Sequence, residues 1–174
     1  MKMIRFYSSL LILSAVSMAA TLNPGDPIPA IEGNNLNSKT VQLPNAVNGK
    51  VSVFAFGFSK DASAPVRGWA SKIQEEYPNV PVYQIPVLEG VPRLFRSFAV
   101  SGIRSDTTPA NRDYLVLLYR EEKQWRERLQ VGDEKIAYLV VVDAQGRVVD
   151  RFAGMLEAPL IEKLRTAINK ANKR

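Results

Sequence analysis

Val51-Ser52-Val53-Phe54-Ala55-Phe56-Gly57-Phe58 is apolar at nearly every position and runs directly into a helical pattern. A strand with one wet face alternates apolar and polar residues, so an unbroken apolar run must be buried on both faces. The chain therefore needs a central sheet covered on both sides. One cover follows immediately: Val66, Trp69, Ala70, Ile73 and Tyr77 share one helical stripe. Pro65 suits the first turn, Ser63 is expected to cap this helix, and Pro78 to stop it.

The alternation continues along the chain. Val80 to Leu88 reads as a second apolar strand, and Val91, Leu94, Phe95, Phe98 and Gly102 keep helical spacing, which together predict a parallel α/β layer. Upstream, Pro24, Pro27 and Pro29 make Leu22 to Ala30 extended, and Thr40 to Leu43 alternates as a half-buried strand does. Downstream, Ser101 to Arg112 reads as a loop, Tyr114 to Tyr119 as a short strand, and Arg120 to Gln130 as a charged helix. Tyr138 to Asp143 and Arg147 to Ala153, joined through Ala144-Gln145-Gly146, form a hairpin. Leu160, Ile161, Leu164, Ala167 and Ile168 give a final helix its apolar face. With 174 residues, 46% of them hydrophobic, and no internal repeat, one domain over residues 20–174 accounts for the chain.

Residues 1–19 read as a secretory signal: Lys2 and Arg5 are the basic start, Phe6 to Val16 the apolar core, and Ser17-Met18-Ala19 the small-x-small cleavage site. The expected location is outside the cytoplasm, in the periplasm or cell envelope. The alternative is an uncleaved anchor, against which the apolar run is short of the ~20 residues a span needs. The formal charge of +6 becomes +4 once Lys2 and Arg5 are set aside. Such a charge serves solubility, and it also suits peripheral contact with an anionic membrane or an acidic partner. Arg93, Arg96 and Arg104, with Lys123, Arg126 and Arg128, have the same two readings. No basic and aromatic residues interleave as a nucleic-acid platform requires.

The order of elements resembles the thioredoxin-like (redoxin) superfamily. Three stretches carry the likeness: Gly25-Asp26-Pro27-Ile28-Pro29, the strand-to-helix unit Val51 to Ile73, and Tyr138 to Gly154 with its Asp143-Ala144-Gln145-Gly146-Arg147 turn. The resemblance implies an α/β fold with a central mixed sheet flanked by helices, and a strand and helix inserted before the closing hairpin. It also implies a Cys-x-Pro-Cys start to the first helix, and here that position holds Ser63-Ala64-Pro65-Val66. Aligning on Pro65 puts Ser63 at the attacking cysteine and Val66 at the resolving one. The family's cis-proline position falls near Ala137. A narrower likeness, in Gly49 to Val53, Val66-Arg67-Gly68-Trp69, Val82 to Pro86 and Ala137 to Arg147, is to mitochondrial ATP-synthase assembly factors with a thioredoxin-like body. That likeness implies a non-catalytic role in maturing a membrane-sector subunit.

The chain contains neither cysteine nor histidine. Thiol-disulfide chemistry needs a thiolate, and a serine nucleophile at Ser63 needs a base to take its proton. Lys60, three residues away in a wet loop, keeps its proton. Asp61 has no second carboxylate to work with, no oxygen-rich calcium loop is present, and no glycine-rich phosphate cradle occurs, so no metal, cofactor or catalytic residue is expected. The expected protein is a redox-inactive, exported binding, chaperone or assembly factor for another envelope or membrane protein, and not an enzyme. Lys60, Asp61, Trp69 and Ala137 are its candidate partner-binding residues, although helical spacing favours the core for Trp69. The alternative is an accessory to a thiol-disulfide oxidoreductase that supplies the thiol in trans.

Overall fold

The computed structural model describes residues 20–47 and 49–173, and the expected signal segment lies outside them. Four strands form the central sheet: β3 (Ser52–Gly57), β4 (Val82–Pro86), β6 (Ala137–Val142) and β7 (Val148–Gly154), in the order β4-β3-β6-β7. β3 and β4 run parallel, whereas β6 is antiparallel to both β3 and β7, so the sheet is mixed as expected. Every residue of β3 and β6 is buried. On one face Val53, Ala55, Leu139 and Val141 pack against α1 (Ser63–Glu76) and α4 (Ala158–Ala171) through Trp69, Ile73, Leu164 and Ile168. On the other, Phe54, Phe56, Tyr138 and Val140 meet Trp125 and Leu129 of α3 (Glu122–Leu129). Residues alternate between two apolar layers, which is why the sequence run shows no polar half.

A second sheet, whose first strand the sequence does not announce, lies over that latter layer. β1 (Ile31–Asn35) pairs with β2 (Thr40–Leu43) and, on its other edge, with β5 (Val116–Leu117), all antiparallel. The strand expected over Tyr114 to Tyr119 is thus shortened to two residues, because a 3-10 helix at Pro109–Tyr114 takes up its start. Flanking bridges Gln84 to Leu115 and Val87 to Leu118 join this segment to β4 as well, so the insertion stitches the two sheets together. Gly33 is required here: a Cβ at that position would lie 2.5 Å from the Leu117 carbonyl oxygen.

Two further differences have local causes. The proline-rich arm is not extended throughout, since Gly25 turns it at φ +96° and the Asp26 carboxylate accepts the Asn23 N–H at 2.8 Å. The second helix, α2 (Arg93–Ser105), forms where its spacing predicts, but most of its apolar stripe faces away from the body. Arg96 reaches inward instead, donating to the carbonyls of Val91 at 2.9 Å and Glu89 at 3.1 Å and lying over the Tyr119 ring. Leu94 and Phe98, each two residues from Arg96, are thereby rotated to the opposite side of the helix.

Candidate functional site

The end of β3, the start of α1, the start of β6 and the end of β7 converge at one end of the central sheet. Phe56 pairs with Tyr138, and Ala137 pairs with Gly154, so Ala137 stands between the strand that leads into α1 and the close of the hairpin. The loop before α1 is locked to the loop before β6: the Ser59 hydroxyl donates to the Glu134 carbonyl at 2.7 Å and accepts the Ala62 N–H at 3.3 Å. Tyr138 fixes the second loop from below, its hydroxyl accepting the N–H groups of Gly132 and Asp133 and donating to the Asp133 carbonyl. Arg126 closes the brace by pairing with both Glu122 and Glu134 at 2.8 Å above the Phe58 ring. The two loops are thereby held in register with each other.

Ser63 does not cap α1. Ala62, whose methyl side chain offers no acceptor, occupies the N-cap with its own N–H held by the Ser59 hydroxyl, and Ser63 is the first helical residue, donating its N–H to the Lys60 carbonyl. Ser63 is half-buried, Ala64 exposed, and Pro65 and Val66 buried. Val66 fills the position of the expected resolving sulfur: its Cγ2 lies 3.3 Å from where a Cβ on Gly57 would stand, a tight fit against β3. No base approaches the Ser63 hydroxyl among the described residues, and no group of three or more carboxylates capable of holding a metal occurs among them.

Of the partner-binding candidates, Lys60 and Asp61 are exposed, but Trp69 and Ala137 are completely buried. Trp69 donates from Nε1 to the Gly154 carbonyl at 3.0 Å and meets the Phe152 ring edge-on at 5.8 Å. Both residues therefore support the surface from beneath. The peptide bond before Ala137 is trans, the cis bond among the described residues being Leu43–Pro44. The sequence reading missed the surface residues that complete this face: Met155 and Leu156, directly after β7, are 47% and 41% exposed, and Leu156 lies against Gly68 of α1. Two large apolar residues between a strand end and Pro159, outside any helical or strand period, were the available signal.

The basic residues divide. Arg126 and Arg128 are engaged with carboxylates on or near their own helix, whereas Arg93 and Arg104 have no carboxylate partner among the described residues. An open depression of about 920 Å³ lies at the opposite end of the sheet, between Lys50, Glu76, Tyr77 and Tyr114. Its carboxylate is already committed. Arg165, and secondarily Lys72, hold the Glu76 carboxyl down at about 2.

Solved structures place the fold. A protein described as thiol:disulfide interchange protein DsbE from Chlorobium tepidum is similar at a TM-score of 0.62 and 17% identity, covering 87% of this chain and 99% of that one. A SCO1/SenC family lipoprotein from Bacillus anthracis gives 0.58 and 17%, covering 88% and 99%. BsSco, of the Sco family of cytochrome c oxidase assembly proteins, gives 0.54 and 17%, covering 85% and 97%. At these identities the shared property is the thioredoxin-like fold, here without cysteines. No curated protein matches the sequence. Among protein families, the one described as ATP10 protein matches residues 26–165.

Proposed function

The chain belongs to the ATP10 protein family, and from that premise we propose that it is a redox-inactive assembly factor that binds another protein through the vacated end of its central sheet. An assembly-type role accords with the family and the thioredoxin-like body together. The finer reading is that the partner is an envelope or membrane protein, met outside the cytoplasm after export directed by residues 1–19, and that the chain acts without catalysing a reaction. The observation that carries this reading is the contrast at one site. The loops around the old reaction centre remain braced by Ser59, Tyr138 and Arg126, while Ser63 and Val66 stand where sulfur would be needed. A rigid scaffold whose chemistry is gone, rimmed by exposed Lys60, Asp61, Ala64, Met155 and Leu156, is suited to holding a partner segment.

In-cell photo-crosslinking tests it. A crosslinker at Ala64 is expected to capture one defined protein, and Met155→Asp with Leu156→Asp to abolish that product while the thermal unfolding of the chain is unchanged. A crosslinker at exposed Lys170, on the far part of α4, serves as the control. Identical products from positions 64 and 170, or none from 64, would remove this face as the interface. In a disulfide-exchange assay with the captured partner, no rate gain over the partner alone is expected, and a gain would favour the accessory-oxidoreductase alternative.

A further inference from the structure

Helix α2 is built the wrong way round for a domain whose surface meets only water. None of its 13 residues is buried. Leu94, Phe95 and Phe98 are 89%, 62% and 82% exposed, while the smaller Val100 and Ile103 make the inward contact with Leu88, Leu115 and Leu117. An amphipathic helix on a globular body turns its largest apolar residues inward. Here they form an outward ridge, with Ser101, Gly102 and Ser105 continuing it at the same helical phase without bulk.

The charges on this helix have one sign. Arg93, Arg96 and Arg104 are its only ionisable residues, and no Asp or Glu lies between Arg93 and Ser105. Arg96 is held on backbone carbonyls and the Tyr119 ring, so its charge is not cancelled by a carboxylate. Of the acids flanking the helix in sequence, Asp106 pairs with Arg67 at 3.4 Å and the Glu89 carboxylate accepts the Glu122 N–H, and neither is paired with an arginine of α2. An apolar ridge bordered by uncompensated arginines matches a surface that offers hydrocarbon just beneath fixed negative charge. An anionic bilayer presents both in one plane, and a convex ridge can enter it without a groove having to be shaped for it.

We propose that α2 is an in-plane membrane-binding helix, seating Leu94, Phe95 and Phe98 at the boundary between headgroups and acyl chains of an anionic bilayer while its arginines meet lipid phosphates. The inference uses a different surface from the proposed partner site and stands independently of it. Trp69 and Trp125 are both fully buried, so Phe98→Trp places the only exposed indole of the described chain on the ridge. With vesicles of phosphatidylcholine containing roughly one-third phosphatidylglycerol, the emission of the full-length Phe98→Trp chain is expected to shift to the blue and to be quenched by shallowly brominated lipid. Pure phosphatidylcholine should give a far smaller response. Arg93→Gln with Arg104→Gln should weaken binding to the anionic vesicles about tenfold, as should high salt. Replacing Leu94 and Phe95 with Ser in the same reporter chain should abolish the blue shift, and because both side chains are exposed the unfolding midpoint should not move. An unshifted indole on anionic vesicles overturns the proposal. So does binding indifferent to lipid charge, or a crosslinker at Phe98 that captures a protein or a second copy of the chain in place of lipid.

Discussion

Val66 packs tightly into the braced end of the sheet. Its methyl group fills the space against Gly57 and Ala62 that a resolving thiol would occupy, so a cysteine there would be sealed, while one at half-buried Ser63 would be open and at a helix start. Ser63→Cys is accordingly expected to react quickly with a water-soluble thiol reagent, Val66→Cys to resist it in the native state, and the double variant to lose both free thiols on mild oxidation. Equal reactivity of the two single variants would show that this end of the sheet lacks the expected geometry. A second residue-scale expectation concerns Glu76. Its carboxyl is held at about 2, below the usual 4.5, chiefly by the hydrogen-bonded Arg165 and then by Lys72. The folded state therefore binds that proton less readily than the unfolded chain, and the stabilisation is complete above about pH 4.5 and fades as pH falls toward 2. Glu76→Gln should lower the urea midpoint at pH 7, and the gap from the unchanged chain should close on acidification through that window; a gap independent of pH would mean the ion pair is not its source.

Elements were legible where burial imposed a period and illegible where it did not. Val51 to Phe58 and Tyr138 to Asp143 declare themselves because both faces are covered. β1 does not, since Glu32, Gly33 and Asn34 are left at least partly open and only Ile31 and Asn35 are buried. Its glycine is there for the backbone of a strand far along the sequence, which no local pattern records. For α2 the spacing gave the helix but not its rotation, which Arg96 sets through carbonyls outside the helix. At the site, the motif positions Ser63 to Val66 could be read from the sequence, whereas Met155 and Leu156 could not be attached to them until the hairpin register brought Gly154 beside Ala137. Because α2 buries no residue, it should also be the first element to open. Limited trypsin digestion without lipid is expected to cut first at Arg93, Arg96 or Arg104, and initial cleavage within α1 or α4 would contradict this.

As a whole, the molecule derives its stability from two apolar layers on either side of one sheet, with a third, smaller cluster beneath α2. The arm before β1 is drawn into the same unit: Arg151 donates to the Leu22 carbonyl at 2.6 Å, Arg147 to that of Gly25 at 2.9 Å, and Pro27 bridges to Arg147. No covalent link contributes, so the unfolding midpoint should be the same with and without excess dithiothreitol; a reductant-dependent midpoint would point to a bound thiol component. Among the described residues no helix is long and apolar enough to cross a membrane.

The stitching of β1 to β5 also sets an order of events in time. Asn34 and Asn35 are among the first residues of the body to be synthesised, yet their edge partners are Leu117 and Val116. Until those residues emerge and the intervening loop closes, the β1–β2 hairpin has an unpaired edge and no β5 to lean on, and a two-stranded hairpin alone is marginal in water. The early part of this chain must therefore wait for the late part, so folding is committed only once the insertion is in place. During that interval the polar Glu32, Asn34 and Asn35 make the waiting edge a poor template for foreign strands.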